Sequence, residues 1–217
     1  MGDRSFVPAA LRARLRAAVV PLALGAGRLG LTPDALTVIG FLICVVAAAM
    51  AAVQLWLPAA ALILCGGSFD LLDGALARAQ NRATRFGAFL DSALDRAGEG
   101  VIYLGIVAGA AAAGFTVGAV LAAAAAISSF EVSYTRAKAE SLNLHGEVGI
   151  APRAERLVLL TVGLALTGLD GGLAVDARGQ LWLAAALGLI FVAASITVFQ
   201  RIWHVRRQLR QEGPQTR

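Results

Sequence analysis

Long apolar runs of roughly twenty residues, nearly free of charge, alternate along this chain with short polar breaks. A helix needs about 20 residues, rising 1.5 Å each, to cross a hydrocarbon core. Six such runs can be placed, over residues 34–54, 58–78, 87–112, 116–138, 153–169 and 180–201. They predict an all-α membrane protein with six transmembrane helices. Before the first, residues 6–28 mix Arg12, Arg14, Arg16 and Arg28 with Leu11, Leu15, Val19 and Leu22. That pattern fits an amphipathic helix lying in the membrane interface and equally a solvated, positive-inside flank. The expected domains are therefore an N-terminal cytoplasmic or interfacial helix (1–33), a six-helix transmembrane domain (34–201) and a cytoplasmic tail (202–217).

Composition strengthens this reading. Of 217 residues, 58% are hydrophobic and 15% charged, too little polar surface for a soluble domain of this length. The net charge of +5 is unevenly placed. Arg78, Arg82, Arg85, Arg136, Lys138, Arg153, Arg156 and Arg201 fall at one set of span ends, together with the termini, whereas Arg178 falls at the other. By the positive-inside rule, both termini and the 78–87 turn face the cytoplasm of a cell membrane. Pro21 interrupts the first apolar run and Arg28 closes it, so no cleaved leader is expected. Cys44 and Cys65 lie within spans and have no metal-ligand spacing, which points to apolar packing. Gly- and Ala-rich runs at 105–114 and 163–168 permit the close helix contact a dimer seam would use. Trp56, Trp182 and Trp203 fit interfacial anchors.

Against this background four aspartates stand out, because a carboxylate beside hydrocarbon costs several kcal/mol unless paired. At about 100° per residue, Asp70, Asp73, Gly74, Ala77 and Arg78 share one helical face. Gly87, Asp91 and Asp95 share a face of the next helix. A short turn at 81–84 makes the two helices antiparallel. Asp73 then matches Asp91 in depth, Asp70 matches Asp95, and Arg78 matches Gly87 at the mouth. Four carboxylates this close cannot all ionise without cations between them. Hard oxygen ligands with no nearby His or Cys favour Mg²⁺, one ion or two, with Mn²⁺ also suited. Such a site can clamp a diphosphate. Gly74 and Gly87 leave the backbone open to a bulky ligand, and Arg78 can hold phosphate bidentately.

The string Asp70-x2-Asp73-Gly74-x2-Ala77-Arg78-x8-Gly87-x3-Asp91-x3-Asp95 resembles the signature of the CDP-alcohol phosphotransferases (CDP-alcohol phosphatidyltransferases) at every fixed position. The resemblance extends to the six-span organisation. It implies transfer of a phosphatidyl group from CDP-diacylglycerol to an alcohol, with release of CMP. It further implies that Asp70, Asp73, Asp91 and Asp95 ligate metal and that Asp95 is also the general base. Gly74, Arg78, Thr84 and Gly87 would contact CDP-diacylglycerol. So would Asp34, Ala35, Leu36 and Thr37, whose segment, opening with Thr32-Pro33, is also similar to the family's. Elementary helix chemistry gives Thr32-Pro33 a second role, with Thr32 as cap and Pro33 in the first turn.

A second basic set on the same side would suit a phosphate-bearing acceptor or serve as ordinary positive-inside flanking: Arg136 and Lys138 end one span, Arg153 and Arg156 open the next, and Arg201 ends the last. The segments 133–140, 153–157 and 200–201 resemble actinobacterial phosphatidylinositol-phosphate synthases. That implies myo-inositol 1-phosphate as acceptor, its phosphate held by Arg136, Arg153 and Arg201, with Lys138 in the same set. The order Arg136-Ala137-Lys138 reverses the Lys-Ala-Arg usual in those relatives, so the individual roles of Arg136 and Lys138 stay open. Glycerol 3-phosphate, with similar demands, is the alternative acceptor within the family. A different class, a cation transporter or channel with an acidic ion path, would need neither Arg78 nor the paired glycines. Lipid bilayer and a second copy of the chain are the expected partners, and nucleic acid is not.

Overall fold

The computed structural model describes residues 9–80, 83–174 and 178–211, over 9–18 the backbone alone. Seven helices are present among them: α1 (Ala9–Arg28), α2 (Pro33–Ala52), α3 (Trp56–Ala79), α4 (Arg85–Ala112), α5 (Thr116–Ser141), α6 (Arg153–Leu169) and α7 (Gly179–Gln211). Each expected span coincides with one of α2 to α7, and α1 occupies the N-terminal segment. The largest change at an end is in α7, which continues past 201 to Gln211, so the expected tail begins as helix.

Four of the helices, α2, α3, α5 and α7, are long and apolar enough to cross a membrane. The stretch of α4 from Asp91 to Glu99 carries Asp91, Asp95, Arg96 and Glu99, and α6 has only 17 residues. The six-span count therefore rests on two helices whose composition or length is atypical of a span.

Local chemistry sets the helix ends. Thr32 Oγ1 accepts from the Ala35 amide at 3.2 Å with Pro33 as first helical residue, the cap expected for α2. Thr84 Oγ1 accepts from the Gly87 amide at 2.9 Å and caps α4 in the same way. Left-handed residues close several helices: Gln54 (φ 63°) ends α2, Gly114 (φ 71°) ends α4 and Asn143 (φ 56°) ends α5.

The chain divides into two compact units, Met1–Ile43 with Cys65–Asp95, and Cys44–Leu64 with Arg96–Arg217. The first is centred on buried Ala23, Leu36, Ala75 and Leu76, with Leu31, Phe69 and Leu72 packed against them. The second has a larger core that includes Trp56, Ile102, Ile106, Leu160, Leu164 and Leu187.

Within this second unit the small-residue runs serve the chain itself. A Cβ at Gly105 or Gly109 would collide with the backbone of Ala48 or Ala51, and one at Gly163 with Ala186. The close approach anticipated for a dimer seam is thus made between helices of one chain at these three glycines, where only hydrogen leaves room for it.

Candidate active site

The first unit assembles the acidic hairpin. Oxygens of Asp70, Asp91 and Asp95 lie within 4.8 Å of one another, each residue half-buried. Asp70 and Asp91 sit on different helices, so the face-to-face arrangement of the hairpin is real at this level. Asp73 lies outside that group of three. It is 6% exposed, and its Oδ2 accepts from the Thr37 hydroxyl at 2.6 Å, a short charge-assisted bond. The expected two layers of paired carboxylates therefore resolve into three converging groups and a fourth tied to α2.

The glycines and the arginine fall where a bulky anion needs them. A Cβ on Gly87 would stand 3.0 Å from Asp34 Oδ1 and 3.1 Å from Thr84 Oγ1, so the bare backbone of α4 meets the first turn of α2. A Cβ on Gly74 would stand 3.3 Å from Arg78 Nη1, which shows the guanidinium folded back along its own helix over the glycine. Arg78 is exposed and makes no ion pair among the described residues. Asp34, Thr37, Thr84 and Gly87 thus converge around the helix starts, with Ala35 half-buried and Leu36 in the core of the unit. The donor set fits a hard divalent cation, since three carboxylates close enough to share one would repel each other without it.

The basic set belongs to the second unit. Arg136 Nε donates to Glu140 at 2.8 Å, and its Nη2 lies 3.2 Å from Glu147 in the 142–152 loop. Arg201 is 5% exposed; its Nε donates to the Val148 carbonyl at 2.8 Å and its Nη1 to the Val132 carbonyl. It joins the loop and α5 to α7 while keeping its remaining N–H groups. The same loop is fastened twice more, by the Ala151 amide to Thr197 at 3.1 Å and by His145 and Gln208 through two bonds of 3.0 and 2.8 Å. Arg153 follows directly, half-buried at the start of α6. Lys138 is exposed, and stands about 200° around α5 from Arg136, on the other side of the helix.

One polar element escaped the reading of the sequence. Glu99, one turn beyond Asp95 on α4, accepts from Arg156 through both oxygens at 3.1 Å, and Arg156 Nη1 donates to the Ala151 carbonyl at 2.9 Å. The legible signal was a further acid in an apolar stretch, with its cation far away in the sequence.

Geometry and sequence comparison agree. The family model for CDP-alcohol phosphatidyltransferase matches residues 30–199, and the chain belongs to that family of transferases. The archaetidylinositol phosphate synthase of Methanothermobacter thermautotrophicus is 40% identical over 185 residues, covering 85% of this chain and 88% of the relative. The phosphatidylinositol phosphate synthase of Cutibacterium acnes is 39% identical over 189 residues, covering 86% and 91%. Among solved structures, the phosphatidylinositol phosphate synthase of Mycobacterium tuberculosis with CDP-DAG bound superposes with a TM-score of 0.78 at 30% identity, covering 86% of this chain and 92% of that one. The same protein in complex with manganese and citrate gives 0.77 at 30% identity, covering 87% and 88%.

Proposed function

We propose that this chain transfers the phosphatidyl group of CDP-diacylglycerol to myo-inositol 1-phosphate, forming phosphatidylinositol phosphate and releasing CMP. The observation that carries the reading is the convergence of Asp70, Asp91 and Asp95 within one unit that also brings Asp34, Thr84 and Gly87 together. The acceptor is favoured by the archaetidylinositol phosphate synthase and the phosphatidylinositol phosphate synthase that are 40% and 39% identical to this chain.

In this reading Asp70, Asp73, Asp91 and Asp95 hold Mg²⁺, or Mn²⁺ in its place, as one or two ions. The ions, when bound, neutralise the diphosphate and stabilise the CMP leaving group. Arg78 receives phosphate oxygens, and Gly74 and Gly87 let the CDP group lie against bare backbone, with Asp34 to Thr37 and Thr84 bordering it. Asp95 takes the proton of the acceptor hydroxyl as its oxygen bonds to the β-phosphorus and the bond from that phosphorus to the CMP oxygen breaks. Arg136, Arg153 and Arg201 hold the acceptor phosphate, Arg201 through the N–H groups it does not give to carbonyls.

The membrane arrangement belongs to the same proposal. Helices α2 to α7 span a cell membrane as six segments, α1 lies in the interface, and both termini and the aspartates face the cytoplasm. The domains are 1–33, 34–201 and 202–217, and the chain works as a homodimer.

Release of CMP by purified protein given CDP-diacylglycerol, Mg²⁺ and each candidate alcohol tests the assignment. Inositol 1-phosphate should support turnover and outcompete glycerol 3-phosphate and serine. Turnover with glycerol 3-phosphate alone would move the acceptor to that alcohol. No CMP with any alcohol, alongside ion flux in vesicles, would remove the transferase reading.

A further inference from the structure

The side of α5 that carries Lys138 faces a groove whose lining the proposed reaction uses only at Arg201. It lies between the last turns of α5 and the last turns of α7, encloses about 420 Å³, and is lined by Leu142, Ile202, Val205 and Leu209 together with Lys138, Arg206 and Arg210. The volume lies in the range of sites for small organic ligands, roughly 300–1,000 Å³.

The charges on this groove are unusual. Arg206 and Arg210 are four residues apart on one helix, where like charges face each other and destabilise. Lys138 adds a third positive charge from α5. None of the three side chains makes an ion pair or hydrogen bond among the described residues. The other cations nearby are engaged: Arg207 stacks on Trp203 at 5.4 Å and Arg201 is bonded to two carbonyls. Three cations with no partner among the described residues, set over an apolar trough, call for an anion that also carries hydrocarbon. A free phosphate would answer the charges and leave Ile202 and Leu209, 54% and 47% exposed, uncovered. A neutral lipid would cover the leucines and leave the charges unmet.

We propose that this α5–α7 groove is a site for an anionic phospholipid, its phosphate on Lys138, Arg206 and Arg210 and an acyl chain along Leu142, Ile202 and Leu209. The assignment gives Lys138 a role separate from that of Arg136 and does not rest on the transfer chemistry, with Arg201 alone common to the groove and the proposed acceptor site.

The test uses the full chain in bilayer discs of phosphatidylcholine with a minor fraction of phosphatidylglycerol, the lipid retained after gentle detergent extraction being weighed by native mass spectrometry. Basic residues at a bilayer surface attract anionic headgroups, so retained phosphatidylglycerol should exceed its bulk share by at least about tenfold. Arg206→Gln with Arg210→Gln should bring that enrichment close to unity, while Arg206→Lys with Arg210→Lys should keep most of it. Circular dichroism and a thermal melt establish that each variant is folded before it is scored. Three results would overturn the proposal: no enrichment in the wild-type chain, enrichment unchanged in the glutamine variant, or displacement of the lipid by glycerol phosphate as readily as by intact phosphatidylglycerol. Loss of a dimer in step with the glutamine change would assign the groove to a second copy instead.

Discussion

The Thr37 hydroxyl donates to Asp73 Oδ2 across 2.6 Å and so ties the first turn of α2 to the acidic face of α3. Thr37 Oγ1 also lies 3.1 Å from the Pro33 carbonyl, but a single hydroxyl proton serves the charged acceptor better. The consequence is mechanical. The segment that opens α2 cannot shift without disturbing an aspartate assigned to the metals, and Asp73 cannot turn without releasing α2.

Thr37→Val keeps the shape and removes the donor. A hydrogen bond to a charged group contributes roughly 1.5–3 kcal/mol, so kcat/KM for CDP-diacylglycerol should fall by about 10- to 100-fold. Thr37→Ser should restore most of it. Steady-state kinetics with the acceptor saturating makes the comparison, and wild-type kinetics in the valine variant would show that the bond positions nothing.

Gly87→Ala probes the cradle from the other side. The added methyl would press on Asp34 at 3.0 Å and on the Thr84 hydroxyl at 3.1 Å. Crowding of this kind costs about 1–3 kcal/mol, and the expected reading is a KM for CDP-diacylglycerol raised about tenfold or more. Gly25→Ala, on α1 with nothing within 4 Å of the new atom, is the control and should leave the kinetics as they were.

Much of this site was legible because it is local. Asp70, Asp73, Gly74 and Arg78 share a helical face by arithmetic, and a short turn forces Asp91 and Asp95 to answer them. What could not be read is what arrives from a distance. Thr37 and Asp73 are 36 positions apart, and no periodicity links them, so the fourth carboxylate was expected to pair within the hairpin. The 142–152 loop was opaque for a related reason. Its path is set by hydrogen bonds to Arg201, Thr197 and Gln208 on α7. Those contacts follow from no apolar pattern. The basic residues were visible as a set, but only the helical angle and the groove separate Lys138 from Arg136.

Asp95→Asn separates binding from chemistry. The amide keeps the size of the side chain, weakens its hold on a metal and cannot accept the acceptor's proton. Turnover should drop by at least about a thousandfold while CDP-diacylglycerol remains able to shift the thermal melt in Mg²⁺. Chelation of divalent ions should abolish CMP release in the wild-type chain, and Mg²⁺ or Mn²⁺ should restore it. A variant that turns over normally would exclude Asp95 as the base.

Arg136 is held by Glu140 and Glu147, both substantially exposed, with 54% and 76% of their side-chain surface accessible. An acceptor phosphate that uses Arg136 must therefore compete with carboxylates. Exposed pairs contribute about 0.2–1 kcal/mol, so Glu147→Gln should lower the KM for inositol 1-phosphate by up to about fivefold at unchanged kcat. The gain should shrink in high salt, which already weakens the exposed pair. A raised KM would mean that Glu147 helps bind the acceptor.

The Glu99–Arg156 pair behaves differently because it is buried. Arg156 has 2% and Glu99 12% of side-chain surface exposed, and the bidentate bond leaves neither charge access to much water. Removing one partner strands the other, at a cost of roughly 3–5 kcal/mol, whereas replacing both by apolar groups of similar size can be nearly neutral. Arg156→Met alone should therefore lower the melting temperature in detergent by about 10 °C. Adding Glu99→Leu should recover most of that loss. Activity supplies the second reading. Arg156 also holds the Ala151 carbonyl at 2.9 Å, two residues before Arg153, and the double variant lacks that bond even when it is stable. Its KM for inositol 1-phosphate should rise while that for CDP-diacylglycerol stays near the wild-type value. A double variant that regains stability and keeps both KM values would reduce the pair to a packing device. A rise in the acceptor KM alone would make Arg156 the residue that positions Arg153.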